Sequence, residues 1–500
     1  MANGTQNTGD ELDDSSEKDG FIFINGIDGT TGDYLLAPMP EHDAAQIALN
    51  HPQEQEIVNS LRNVAKQSTE RHLGGAFDVD LRDLTQAGWA IVFHQEEEKA
   101  VKDALAPLFS HRQKQIDNDE IVKVLDYRDG ESVVQWLARH QLAFGPVKPE
   151  KVPYYLLLVG SPERIPFSFG HLLDAVYGVG RLHFEAADEY KRYVESVIKY
   201  ESDAKVPTGK DVVFFGPRNK NDWPTKLSSQ LLVKPLAAGT ADEKSVVERA
   251  AKSAKVAYRS QLFEPKDSTK ENLLNIFRPD AGAQTPCFLF TASHGLGWPN
   301  GDPKQRNAQG ALLCQNFPGP GLGPLKPDYY FAASDLPAAA RLHGLICFHF
   351  ACFSAGTPDQ DRFSYQPGTP PPVLAPQPFF SALPQALLSH QNGGALGVIG
   401  HVERAWQNSI ITEGAGLQLL PFENAIGFIL SGLPLGWALR DFNERFAVQA
   451  ANLTDVINKV NVGKTVPDRE LAALWLERND AEAYVLFGDP AICLRKDALQ

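Results

Sequence analysis

The sequence predicts an α/β fold carrying a mostly parallel sheet, laid out as two successive units. Short runs of strand-forming apolar residues recur along the chain, and helix-like segments fill the intervals between them. That alternation is the pattern of strand–helix–strand crossovers. In the second half the strand-like runs are apolar throughout rather than alternating, as strands covered on both faces require.

Residues 1–20 (MANGTQNTGDELDDSSEKDG) have the low hydrophobicity and negative charge of a disordered acidic tail, so order is expected from Phe21. FIFING (21–26), WAIVFHQ (89–95) and YYLLLVG (154–160) read as strands. Segments 51–66 and 131–140 read as helices, which makes 21–205 a first α/β subdomain closed by the helical pattern at 185–200. The second unit, 206–500, contains the runs DVVFFG (211–216), AYRSQLF (257–263), PCFLFTASHG (286–295), LICFHFAC (345–352), ALGVIGHV (395–402) and AYVLFGDPAICL (483–494). Two stretches, 298–329 and 356–378, are rich in Gly and Pro and too long for ordinary connections, and long loops after strands usually carry function.

Composition narrows the function classes. Five hundred residues exceed the roughly 250–300 at which one core stops growing, in line with two units. With 43% apolar and 22% charged residues the chain is globular. The balance of 47 Lys and Arg against 62 Asp and Glu gives −15, without a basic run dense enough to follow a phosphate backbone, so nucleic acid is not an expected partner. The apolar stretch 422–439 contains Glu423, Pro434 and three glycines, which suits a buried helix pair and not a membrane span of about 20 apolar residues. The N-terminus has no apolar run behind a basic stretch and reads as cytosolic. Five cysteines without framework spacing read as reduced thiols.

Two strand ends carry the chemistry. PCFLFTASHG places His294 and Gly295 directly after an apolar strand, and LICFHFACFSAG does the same for Cys352. In open α/β sheets the ligand crevice lies beyond the carboxyl ends of the strands, where neighbouring strands would bring thiol and imidazole together. The thiolate is the nucleophile and an adjacent imidazole stabilises it. The amides of Gly295 and Cys352 would supply the donors for an oxyanion, and Ser354, Ala355 and Gly356 room for a substrate backbone. Cys347, His349 and Cys352 do not make a zinc site, because alternation sends 347 and 349 to one face and 352 to the other. GIDGTTG (26–32) lacks dinucleotide-loop spacing, and Gly463-Lys464-Thr465 lacks the upstream glycine of a phosphate loop, so no metal or organic cofactor is expected.

An apolar strand, Ser-His-Gly, then a second apolar strand closing on Ala-Cys-x-Ser-Ala-Gly resembles the caspase-fold cysteine peptidases: caspases, gingipains and the bacterial CHAT proteases. The resemblance implies a three-layer sandwich with a mostly parallel sheet, His294 as general acid/base and Cys352 as nucleophile. The gingipain branch is matched further by YYLLLVGSPERIPF with LLDAVYGVGRL, by GALGVIGHVERAW (394–406) and by LFGDPAI (486–492), although Ser161 stands where that branch has an acid. Carried across, Asp174 either orients His294 or lines the pocket, and Trp406 forms a wall of it. A carboxylate at Glu403 beside that wall would favour a basic residue before the cut. The expected partner is a protein or peptide substrate, with a regulatory protein besides. Two alternatives stay open: a catalytically silent binding or signalling module of the same fold, and a thiol acyltransferase or amidase using the same dyad.

Overall fold

Most of the strand-like runs become strands of one sheet, and most of those inside it are buried along their whole length. The computed structural model describes residues 20–50, 58–59, 61–62, 65, 79–364, 369–412 and 416–500. Residues 1–19 of the tail read at 1–20 and most of the helix read at 51–66 lie outside the described residues. Ten strands form the main sheet and are numbered here in chain order: β1 Trp89–His94, β2 Val122–Tyr127, β3 Tyr155–Val159, β4 Gly178–Leu182, β5 Asp211–Phe215, β6 Arg259–Phe263, β7 Phe288–Ala292, β8 Ile346–Phe350, β9 Gly397–His401 and β10 Tyr484–Phe487. Their order across the sheet is β2-β1-β3-β4-β10-β9-β8-β7-β5-β6. Helices flank it, which is the mixed α/β sandwich the sequence predicts.

Burial follows position in the sheet. Every residue of β1, β3, β4, β7, β8, β9 and β10 is buried, while the edge strands β2 and β6 show exposed positions. The run VKVLDY of β2 is absent from the sequence reading because Lys123 and Asp126 interrupt its apolar character, as an edge allows.

Eight of the nine strand pairings are parallel, and the exception reverses the sheet at its middle. β10 runs parallel to β4, with Phe487 opposite Arg181, and antiparallel to β9, with Tyr484 opposite His401. The strands of the first half therefore point opposite to those of the second. One buried ion cluster holds the turn after β10 at this seam. Asp489 accepts from Trp89 Nε1 at 2.9 Å and from Arg112 Nε at 2.9 Å, and its own N–H donates to Tyr193 Oη at 2.7 Å. Arg112 also reaches Glu201 at 2.7 Å.

FIFING departs from expectation. Phe21–Ile22 and Gly26–Asp28 are separate short strands outside the main sheet. Gly26–Asp28 joins a four-stranded sheet with Gly295–Gly297, Leu312–Leu313 and Tyr330–Phe331, so the start of the described chain packs on the second half. Part of the stretch read as loop, 298–329, is thus strand, and it covers a small core of Ile27, Leu296, Trp298, Leu313, Phe317 and Tyr330. The stretch 422–439 contributes the helices Leu420–Leu430 and Leu435–Ala438. No helix among the described residues is long and apolar enough to cross a membrane.

Replacing Asp489 with Ala removes the carboxylate from a fully buried guanidinium. Losing one partner of a buried pair costs about 3–5 kcal/mol, and Glu201 still faces Arg112, so the expected loss is about 3 kcal/mol in urea unfolding.

Candidate active site

β7 and β8 are parallel neighbours in a register that sets Ala292 opposite Phe350. His294 and Cys352 each lie two residues beyond those partners, so both side chains leave the sheet at the same level on adjacent strands. Ser293 N–H donates to Phe350 O at 3.1 Å and keeps the two chains paired past the last strand residue. At the next position the loops touch: a Cβ on Gly295 would fall 1.8 Å from the carbonyl oxygen of Cys352. Only glycine fits there.

His294 is wholly buried, and its Nε2 meets Asp222 Oδ2 at 2.8 Å. An aspartate on Nε2 holds the proton of the neutral ring on that nitrogen and leaves the lone pair on Nδ1. That Nδ1 has no hydrogen-bond partner among the described residues. Asp222 is fixed in turn: Tyr34 Oη donates to its Oδ1 at 2.8 Å and Thr225 Oγ1 donates to its Oδ2 at 2.6 Å. The Tyr34 ring also meets the imidazole edge-on, with centroids 5.9 Å apart.

Cys352 is equally buried. Its Sγ accepts the Ala405 N–H at 3.2 Å. Burial pushes the thiol up to about 12, against smaller downward pulls from the Ala405 amide and the Arg404 charge. In this conformation the sulfur is a protonated thiol at neutral pH. The Gly295 N–H, one of the two expected oxyanion donors, donates to Asn25 O at 3.1 Å.

The segment after Cys352 is bound rather than open. Phe353 adopts φ +56° and its N–H donates to Glu403 O at 2.7 Å, while Ala355 N–H donates to His401 O at 3.0 Å. Ser354 Oγ donates to His349 O and accepts the His401 N–H. Phe167 and Phe379 occupy the space beside Gly356, so these small residues brace the strand ends instead of leaving room for substrate. His349, inside β8, bonds Thr291 Oγ1 at 2.8 Å, and burial lowers its pKa to about 3.

The three residues expected to bind substrate take other places. Asp174 ends the helix Phe167–Asp174 and accepts the Val179 N–H of β4, with the Asn443 side chain also bonded to it. β4 lies four strand positions from β7, about 19 Å at ordinary spacing, and the carboxylate on His294 is Asp222 instead. Glu403 is buried with φ +76°, and its Oε1 accepts Arg404 Nη1 at 2.7 Å. Arg404 is itself forked onto Asp361 by two bonds of 2.9 Å, so one guanidinium serves two carboxylates, and Glu403 Oε2 is buried without a hydrogen-bond partner among the described residues instead of facing an open pocket. Trp406 is fully buried, its ring tilted at 49° to that of Phe363 with centroids 4.6 Å apart in a cluster with Trp475, and forms core rather than an open wall.

Sequence reading did not identify Asp222, Tyr34, Asp361 or Arg404. Asp222 had one available signal: it lies just beyond the strand-like run DVVFFG, and β5, formed by that run, is the neighbour of β7. No group of three or more His, Cys, Asp and Glu side chains among the described residues is arranged to hold a metal ion.

No protein-family model matches the chain, and no curated protein matches it. Solved structures to which it is similar in outline include the following two. One, described as "Structure of Protease", is 13% identical, with a TM-score of 0.43 over 81% of this chain and 78% of the other. The second is the complex of Porphyromonas gingivalis RgpB pro- and mature domains, 12% identical, with a TM-score of 0.40 over 82% of this chain and 80% of that one.

Burial pushes Glu403 up to about 7, with the Arg404 charge pulling against it. Between an unfolded value near 4.5 and that folded value the native state binds the extra proton, so its contribution to stability is full below about 4.5 and is lost as pH rises through about 7. Glu403→Gln should flatten the melting temperature between pH 5 and 7 and stabilise the protein above pH 7, by on the order of 2–3 kcal/mol. An unchanged profile would mean the carboxyl titrates normally.

Proposed function

We propose that the chain is a cysteine peptidase acting through Cys352 and His294, with Asp222 as the positioning residue of the imidazole. The observation that supports it most is the in-register departure of His294 and Cys352 from adjacent strands, with a buried carboxylate on Nε2 and a free lone pair on Nδ1. In the opened site Nδ1 takes the thiol proton, and the thiolate attacks the scissile carbonyl. The oxyanion is received by the Gly295 N–H and the Cys352 N–H. His294 then protonates the departing amine, a thioester remains on Cys352, and water releases it with His294 as base. This chemistry draws on no metal or organic cofactor, and the substrate is a protein or peptide.

Asp222 stabilises the imidazolium formed at the first step and fixes the ring. With both oxygens accepting from other groups, it cannot swing away. A second reading, a silent binding module of the same fold, is favoured by one observation: thiol and imidazole are both wholly buried.

A diverse peptide pool analysed by mass spectrometry separates the two, using the intact chain and the chain after limited proteolysis. Cleavage should be abolished in Cys352→Ala and His294→Ala; a pool left intact by every form removes the peptidase reading. Asp222→Asn should lower kcat by about 10² to 10⁴, with KM little changed, because the amide favours the wrong tautomer. Acyl transfer to an added amine in place of hydrolysis would point to a transferase.

A further inference from the structure

The groups a peptide substrate would use are occupied by the chain itself. Residues 24–28 run extended across the site. Ile24 bridges antiparallel to Trp406, and Asn25 N–H donates to Ala405 O at 3.0 Å. The Asn25 carbonyl accepts the Gly295 N–H, and from Gly26 onward the segment is a parallel strand on Gly295–Gly297. Beyond it, Gly29 N–H donates to Gly297 O at 2.8 Å and the turn at 29–33 returns Tyr34 to Asp222. A Cβ on Gly26 would lie 3.3 Å from Cys352 Sγ.

These contacts put one peptide unit, Asn25–Gly26, between the nucleophile on one side and an oxyanion donor on the other. A carbonyl about to be attacked needs both neighbours. Strand addition of this kind draws affinity from main-chain hydrogen bonds and selectivity from the side chains on either side. The Asn25 side chain is buried and its Oδ1 has no hydrogen-bond partner among the described residues. Beside Cys352 a single guanidinium, Arg404, is shared by the carboxyl groups of Glu403 and Asp361. The uncharged Asn25 side chain is accommodated there, and at Gly26 a Cβ would also fall 2.5 Å from Leu35 Cδ1, so the space between Leu35 and the sulfur favours a small residue.

We propose that residues 24–28 lie along the substrate path as a resident strand that keeps the site closed. On the same geometry, the site takes extended peptides with an uncharged residue before the cut and a small residue after it. This rests on the peptidase reading for the word substrate, but the strand's occupancy of the thiol does not.

The test begins with the folded chain. Thr30 and Thr31 form the exposed tip of the turn, where a recognition sequence for a site-specific protease can be inserted and cut after folding. Alkylation of Cys352 by iodoacetamide, followed by peptide mass spectrometry, reads the thiol directly. In the uncut wild-type chain Cys352 should react about a hundredfold more slowly than in urea-unfolded protein, since access requires local opening. Cutting and displacing the fragment with excess synthetic peptide 21–30, then washing the peptide out, should raise the rate about tenfold or more, and adding the peptide back should lower it again. A peptide carrying Asn25→Lys should protect at least about tenfold less well, which corresponds to about 1.4 kcal/mol. The proposal is overturned if Cys352 of the uncut chain reacts like the unfolded protein, if displacement leaves the rate unchanged, or if excess peptide cannot displace the fragment. Equal protection by the lysine peptide overturns the side-chain preference. A thiol that becomes reactive without any peptide cleavage removes the peptidase reading and leaves the strand assignment standing.

Discussion

The in-register pairing of β7 with β8 is the constraint on which the site depends. Ala292 opposite Phe350 fixes where each chain leaves the sheet, and the absence of a side chain at Gly295 lets the two exits stay in contact. The neighbours on either side then contribute according to their position in the sheet. The segment after β5 supplies Asp222 to the imidazole, and the segment after β9 supplies Ala405 to the sulfur. Among the strands of the main sheet, distance from β7 across the sheet, rather than distance in sequence, decides which following segment reaches the site.

That rule accounts for which expectations held and which did not. The apolar runs ending in His294 and Cys352 were legible because an unbroken strand followed by small residues leaves few places for the next side chain to go. Asp174 was chosen by motif, and the chain direction alone could not show that four strand positions separate it from His294. Glu403 and Trp406 do stand beside Cys352 in the fold, but their partners come from remote segments: Asp361 claims Arg404, and Phe363 with Trp475 encloses the indole. FIFING, read as one strand, is strand only at Phe21–Ile22 and again from Gly26, and propensity carries no information about which sheet a strand will join. Hydrogen bonding to Gly295–Gly297 and Ala405 decided that.

The electrostatics of the site belong to a closed state. Burial raises the thiol and keeps it neutral, and the basic nitrogen of the buried imidazole has no hydrogen-bond partner among the described residues. Positive φ at Phe353 and Glu403, on the two loops that hold the sulfur, is backbone strain at the same place. The hydrogen bonds from Phe353 to Glu403 and from Ala355 to His401 hold that strain in place.

The seam at β10 has a further consequence for how the molecule is assembled. Its four residues, 484–487, are added to the chain after the other nine strands, yet they occupy the middle of the sheet. Until they arrive, β4 and β9 are open edges of two half-sheets, each with backbone groups that could pair with another chain. Synthesis from the N-terminus therefore leaves the β4 edge unprotected from residue 182 and the β9 edge from residue 401 until 484–487 are made, and closing the sheet is a late event. Asp489, just past that strand, engages Trp89, Arg112 and Tyr193 only once it has inserted, so its hydrogen bonds lock a step that the ribosome delays.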